Sequence, residues 1–358
     1  EMWLVTRRAD VLTVLRDPAR FTTDHPRSPI RDIFGRQMLS LDGEEQKRAK
    51  AACIQPFAKR TVADHWRPVV AAKVDRLLLS FGWRGQADLR RVLSGPLAVS
   101  AVGSVLGIPG EFDDVILEWY DRFAHALANF QADSEARLRG QTAAAEFRAA
   151  IRPLLVRAAA TPDAGLFSSL VHAADRLDDE EILSNALIIL FGGIETTDAT
   201  IANTVWALLT HPEALAWAHS APGGWAAAVE ESLRWEPAVQ SRRRGDVRRG
   251  CDPGGEGVQC MLGAANRDPD TFADPDRFDV RRANADEHLS FGFGRHLCLG
   301  AHLAREETVA AVAALFTRLP GLALDPTRPT RPVGYEFRKP AELWVRWLAD
   351  ESTRLLED

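Results

Sequence analysis

Fifteen residues from Phe291 to Arg305, FGFGRHLCLGAHLAR, place one cysteine, Cys298, behind a glycine-rich turn and ahead of a helical segment. At a helix start, unpaired backbone N–H groups and the positive end of the helix dipole favour the ionised sulfur, the form that ligates a metal. Gly292 and Gly294 carry no Cβ, so the backbone there can turn sharply and lie close to a flat ligand. After Gly300, the residues Leu303, Val309, Val312, Phe316 and Leu319 recur near helical spacing and form one apolar stripe. The other reading of a lone cysteine is a small buried hydrophobe.

A second set lies in LFGGIETT, Leu190 to Thr197. Gly192 stands four residues before Thr196, on the same helical face, and Glu195 adjoins them. A mid-helix threonine can give its hydroxyl to the i−4 carbonyl, or leave that carbonyl free and open a bulge. A bare glycine at i−4 leaves room for a small ligand beside an acid and an alcohol, the groups that move protons. A helix–helix contact through small residues would use the same glycines. A third pair, Glu231 and Arg234 in VEESLRWEP, has i, i+3 spacing and reads either as an exposed helical ion pair or as a buried structural one.

These residues need a long helix and a loop facing it. Asp178 and Glu181 form a capping signal, and His211 with Pro212 a stop, so the segment Asp179–Thr210 is expected as one helix of ~45 Å. Its two adjacent glycines cost about 1 kcal/mol each relative to alanine, a weakness that needs a reason. Helices are also expected over Glu45–Phe57, Val62–Leu79, Asp113–Phe130, Ser134–Ala160 and Gly224–Trp235, with short strands at Trp3–Thr6, Gly257–Leu262 and Leu343–Trp347. The stretch Ala158–Gly165 is a loop inside one domain rather than a linker, and no repeat or low-complexity tract occurs.

With 358 residues, 46% hydrophobic, 26% charged and a net charge of −6, the composition is that of a soluble globular protein, without a basic block for nucleic acid. Four scattered cysteines support neither a disulfide framework nor zinc, and point to a reducing cytoplasm. The longest apolar run, Ile182 to Ile194, is broken by Ser184 and Asn185 and falls short of the ~20 residues of a membrane span.

The pattern FGxGxHxCxGxxLAR, present in full, resembles the haem-binding loop of the cytochrome P450 superfamily, the haem-thiolate monooxygenases. The match extends through the glycine, acid and alcohol of Gly192 to Thr196, the Glu-x-x-Arg pair, AANRDP (Ala264 to Pro269) and DPDRFD (Asp274 to Asp279), and so covers nearly the whole chain. It implies a mainly α cytochrome P450 fold: a helix-rich single domain over residues 1–358 with small β-sheets, holding haem b between the long central helix and the cysteine-loop helix. Members of the family normally carry an opening helix and a first strand before the segment that begins here, so either a truncated copy or missing upstream residues are expected.

Carried over residue by residue, the resemblance makes Cys298 the axial thiolate, which pushes electron density to the iron and favours O–O cleavage. Phe291, Gly292, Gly300 and Ala301 would surround it, and His296 would bind a haem propionate. Thr196 would hydrogen-bond to dioxygen bound opposite the thiolate, Glu195 would relay protons, and Gly192 would leave them room. Where relatives carry His and Arg four apart facing the propionates, this chain has Gln46 and Lys50, the latter a charge without the arginine fork. Of Arg242, Arg243 and Arg244, spacing from Arg234 favours Arg243 or Arg244 as a propionate ligand, whereas spacing back from Asp246 and Val247 disagrees. Glu231 and Arg234 would be structural, with Arg277 as their basic partner. Ile188, Phe191, Ala238, Val239, Pro340 and Ala341 would form an apolar pocket floor, and Phe21–Ser40 with Trp119–Phe130 its roof.

The function implied is oxidation of a small organic or peptide-like substrate by dioxygen and two electrons, in secondary metabolism, by a cytoplasmic monomer without membrane contact. A ferredoxin and its reductase would supply electrons, docking near Lys50, Arg295 and Arg305. The alternatives are aromatic crosslinking or nitration at the same site, and a haem-free helper protein of the same fold, which loss of the cysteine would mark.

Overall fold

The strongest sequence signal forms the longest helix. In the computed structural model, which describes residues 2–25, 28–129, 131–173, 176–246 and 257–349, one unbroken helix runs from Asp179 to Thr210. Phe130, the last residue of the expected roof, and Val247, one of the spacing references for the arginines, lie outside the described residues.

In chain order the elements begin with β1 (Met2–Val5), α1 (Arg8–Arg16), β2 (Phe21–Thr22), α2 (Pro29–Phe34), α3 (Gly43–Cys53), α4 (Lys59–Thr61), α5 (Arg67–Phe81), β3 (Gln86–Asp88), α6 (Gly95–Leu106), α7 (Asp113–Leu127) and α8 (Ser134–Ala160). They continue with α9 (Leu166–Val171), α10 (Asp179–Thr210), α11 (Pro212–Ser220), α12 (Gly224–Trp235), β4 (Ser241–Asp246), β5 (Gly257–Met261), α13 (Leu262–Ala265), α14 (Ala301–Arg318), β6 (Ala323–Leu324) and β7 (Trp344–Arg346).

The capping box of α10 is complete: the Asp178 carboxylate accepts from the Glu181 N–H at 2.8 Å, and the Glu181 carboxylate from the Asp178 N–H at 2.9 Å. The helix is buried on most of its circumference and packs against α6, α12 and α14. Each buried Leu or Ile contributes about 1.5–3 kcal/mol relative to exposure, which outweighs the roughly 1 kcal/mol cost of each mid-helix glycine. By length and apolarity alone α10 would pass for a membrane span, which the broken run at 182–194 did not lead one to expect. Yet 78% of its most apolar window is buried inside the fold, so its length serves to cross the core.

The two glycines have different reasons to be small. A Cβ on Gly193 would come within 2.8 Å of Val102 Cγ2, so this glycine lets α6 approach α10. A Cβ on Gly192 would meet nothing within 4 Å, because that face looks into a cavity. Helix α6 itself escaped the sequence reading: PLAVSAVGSVL is apolar on every side, so no 3.6-residue period shows.

One sheet has the order β1-β5-β4-β2, with β1 parallel to β5 and the other pairs antiparallel. The other, β3-β7-β6, is antiparallel. Strand β4, SRRRGD, stands where the family resemblance sets a strand after the Glu-x-x-Arg helix, although three consecutive arginines have no strand pattern of their own.

Candidate active site

The cysteine loop is fastened first by its own backbone. Gly292 and Gly294 adopt φ values of +73° and +68°, a region that a Cβ disfavours. These turns bring the Phe291 carbonyl round to accept from the Cys298 N–H at 2.8 Å, and the Gly294 carbonyl to accept from the Leu297 N–H at 3.0 Å. Cys298 stands three residues ahead of Ala301, the first residue of α14, with Gly300 at the cap. Burial pushes the Cys298 thiol up; the Gly300 N–H and the charges of Arg242, Lys50 and Arg305 offset only part of that rise. Such a sulfur ionises when a metal replaces its lost hydration.

Side chains fasten the loop a second time. Gln46 donates through Nε2 to the Arg295 carbonyl at 3.1 Å, and Lys50 donates through Nζ to the carbonyls of Arg295 (2.7 Å) and Leu297 (2.6 Å). Both residues border the cavity, but their donors are directed at the loop main chain. His296 lies with Nε2 3.1 Å from Asp42 Oδ1 and 3.4 Å from Thr23 Oγ1. Burial lowers His296, and the charges of Arg244 and Arg242 lower it further against the pull of Asp42.

Side chains alternate along β4, so Arg242 and Arg244 share one face and Arg243 takes the other. Arg243 is exposed, whereas Arg244 is buried and Arg242 half-buried. Burial lowers both of the latter, Arg244 to about 10, and the charge of Arg242 acts directly on Cys298. All three arginines border the cavity, Arg242 and Arg244 from the more buried face of β4 and Arg243 from its exposed one, and it is the charges of Arg242 and Arg244 that act on His296.

Opposite the loop, α10 stays regular through Thr196, whose Oγ1 donates to the Gly192 carbonyl at 2.6 Å, so no bulge opens here. Glu195 is buried; Lys339 Nζ lies 2.8 Å from its Oε1, and the Tyr120 hydroxyl donates to its Oε2. One turn on, Asp198 accepts from Arg90 at 2.6 Å and Ser94 at 2.6 Å, and Lys339 Nζ reaches it at 3.0 Å. Burial would raise Asp198, but Lys339, Arg90 and Ser94 hold it below the usual carboxylate range. Across from α10, Glu307 of α14 is buried at the cavity wall beside Thr197. Burial pushes its carboxyl up to about 8 against the pull of Thr197 and Lys73, so Glu307 carries a proton at neutral pH.

Between loop and helix lies a cavity of ≈ 450 Å³ bordered by Cys298, Gly192, Thr196, Ile188, Phe191 and Val239. The expected roof contributes Thr22, His25, Ile30, Leu39, Leu127 and Asn129. Pro340 and Ala341 are corrected: they lie outside the cavity, where their carbonyls accept from Arg90, and Phe337 takes their place in the wall. Gly292 is a turn residue and Ala301 the buried start of α14, neither of them lining the cavity. A thiol at the floor, open space over Gly192 and Gly300, and two desolvated arginines with His296 along one edge fit a flat, iron-bearing dianion.

The comparisons agree with that fit. A family model described as cytochrome P450 matches residues 226–324. PikC, a cytochrome P450 monooxygenase of Streptomyces venezuelae, is 36% identical over 342 residues, 91% of this chain and 80% of the relative. The chain is a cytochrome P450. The mycinamicin IV hydroxylase/epoxidase of Micromonospora griseorubida is 35% identical over 370 residues, covering 97% of this P450 and 90% of the relative. Among solved structures, P450BioI in complex with a ligated acyl carrier protein superposes with a TM-score of 0.88 at 31% identity, covering 97% of this chain and 92% of that one.

The scaffold behind the loop of this P450 rests on Glu231 and Arg234, both fully buried and 2.7 Å apart. Arg234 also donates to the carbonyls of Asn266, Pro275 and Arg277, and Glu231 accepts from the Asp279 N–H at 2.8 Å. Arg277 is corrected: it supplies only a carbonyl while its side chain is exposed, and the basic partner is Arg282, whose Nε lies 3.3 Å from Glu231. Sequence reasoning also passed over Tyr120, Lys339, Asp198, Glu307 and Asp42. Asp42 carried a signal, since it occupies the cap of α3 yet makes no side-chain capping bond.

Proposed function

We infer that the chain, a haem-dependent cytochrome P450 monooxygenase, uses dioxygen and two electrons to oxidise a small organic substrate. We propose that Cys298 is the axial ligand, that Arg242, Arg244 and His296 bind the propionates, and that Glu195 and Thr196 are the proton-transfer pair. The observation that supports this reading is that Cys298, Gly192 and Thr196 all border one cavity. The haem supplies the oxidising chemistry when bound. The chain's residues do the rest. Backbone bonds from Phe291 and Gly300 hold the sulfur, and Lys50 and Gln46 hold the loop that carries it. Thr196, having given its own proton to the Gly192 carbonyl, presents its Oγ1 lone pairs as an acceptor toward the cavity. Glu195 does not border the cavity and would have to exchange Lys339 and Tyr120 for cavity partners to reach it, while Glu307 lies on the cavity wall beside Thr197.

The substrate reading is a largely apolar molecule with a polar end at the mouth, where His25, Ser28 and Asn129 lie. Several relatives are named for tailoring of natural products, among them a nocardicin C N-oxygenase, which supports a role in secondary metabolism. We further assign electron supply to a ferredoxin and its reductase, and a cytoplasmic, monomeric state with the whole chain as one catalytic unit. Arg305 is a poorer docking charge than its position in the sequence implies, because Glu230 already pairs with it.

The test is the absorption spectrum of the reduced, carbon monoxide-bound protein. A strongly red-shifted Soret band reports thiolate ligation; an imidazole-type band, or no haem, removes the reading. Product mass then separates oxygen insertion from crosslinking or nitration.

A further inference from the structure

Adjacent glutamates on α12 face different parts of the molecule, because one residue along a helix is a turn of about 100°. Glu231 is enclosed with Arg234 and Arg282, whereas Glu230 reaches the cysteine loop. Arg305 of α14 donates to Glu230 through both Nε (2.5 Å) and NH2 (2.9 Å), a two-bond fork. The same guanidinium lies over the Phe291 ring, 4.5 Å from its centre. His288 packs on Phe291 from another side, with ring centres 5.6 Å apart, and is almost fully buried. The Ser290 N–H donates to His288 Nδ1 at 3.2 Å, and His288 Nε2 lies 3.3 Å from Glu230 Oε2.

Phe291 is the residue whose carbonyl accepts the Cys298 N–H. We propose that Glu230, acting through Arg305 and His288, is a positioning residue that locks Phe291 behind the thiolate and cancels the charge Arg305 would otherwise impose on it. This rests on Cys298 being the haem ligand. Two observations make the effect electrostatic as well as steric. The Arg305 cation stands over the ring of Phe291, the residue whose carbonyl holds the Cys298 N–H. Burial would raise the Glu230 carboxyl, yet His288 and Arg305 hold it down at about 2, so it stays ionised at any working pH. Three segments, at Glu230, at His288–Phe291 and at Arg305, therefore place a paired cation against the ring that begins the cysteine loop.

The test is an equilibrium redox titration of the haem-loaded protein, read as a midpoint potential rather than as turnover. Glu230→Gln leaves the Arg305 charge uncompensated and is expected to raise the potential; Arg305→Gln leaves the carboxylate and is expected to lower it. Arg305→Lys keeps the charge but loses the fork and the ring contact. It is expected to leave the potential near that of the parent while weakening retention of the thiolate-type carbon monoxide spectrum on warming. Shifts of the same sign in Glu230→Gln and Arg305→Gln, or no shift in either, overturn the proposal. If Glu230→Gln does not fold, Arg305→Gln against Arg305→Lys carries the same decision, with equal potentials overturning it. Absence of a thiolate-type spectrum in the parent protein would instead remove the assignment of Cys298.

Discussion

The two walls of the cavity are built by different means. The cysteine wall is held at its main chain: two left-handed glycines, a 2.8 Å bond across the loop, and loop carbonyls gripped by the side chains of Gln46 and Lys50. The helix wall is held by side chains: Glu195 and Asp198 are fixed by Tyr120, Lys339, Arg90 and Ser94, which come from three separate parts of the chain. A ligand that must keep one geometry through many turnovers suits the first construction. Groups that must exchange partners to move protons suit the second.

The sharpest way to break this division is Cys298→Ser, which is expected to abolish both the thiolate-type carbon monoxide spectrum and substrate oxidation, while circular dichroism shows the fold retained. Next in size, Thr196→Ala should keep haem and substrate binding but lower product formed per electron pair by on the order of 10²-fold, the consumed oxygen appearing as peroxide. Equal loss of binding and turnover would move Thr196 from the chemistry to the scaffold.

A smaller effect belongs to the cysteine wall and to acid. The folded value of Glu230, about 2, lies below its ordinary 4.5, so its contribution is fully present above roughly pH 5 and is lost as pH falls from there toward 2. At 1.36 kcal/mol per unit that is at most about 3 kcal/mol. Denaturant titrations at pH 7 and pH 3 should show this loss in the parent and a flatter acid limb in Glu230→Gln. The smallest effect separates the paired glycines. Gly192→Ala should stabilise the apoprotein by up to about 1 kcal/mol through helix propensity while reducing ligand-induced spectral change, because the new methyl enters the cavity. Gly193→Ala should destabilise, since its methyl meets Val102.

The same difference decides what could be read from sequence. The cysteine wall is contiguous, and its glycines, histidine and cysteine keep fixed spacings, so Cys298 and its turn were legible from fifteen residues. The long helix was legible because its caps and stop are local. The partners of Glu195 were not, because Tyr120 and Lys339 look like ordinary surface residues until the fold brings them to α10. Arg282 was mistaken for Arg277 for a related reason: in an irregular segment, spacing does not tell which side chain turns inward. Which face of the strand each of the three arginines takes could be told only after its pairing with β5 was fixed.

Asp42 ties these regions together. It accepts from the Thr22 hydroxyl at 2.5 Å and the Thr23 N–H at 2.8 Å, residues of the substrate roof, and faces His296 at the edge of the cysteine loop. Burial opposes its charge, but His296, Thr22 and the N–H groups of Thr23 and Asp24 hold it far below the usual carboxylate range. The clasp therefore stays shut at every pH where the protein works. Because one carboxylate holds both the roof at Thr22 and Thr23 and the cysteine loop at His296, the two cannot part without giving up these bonds.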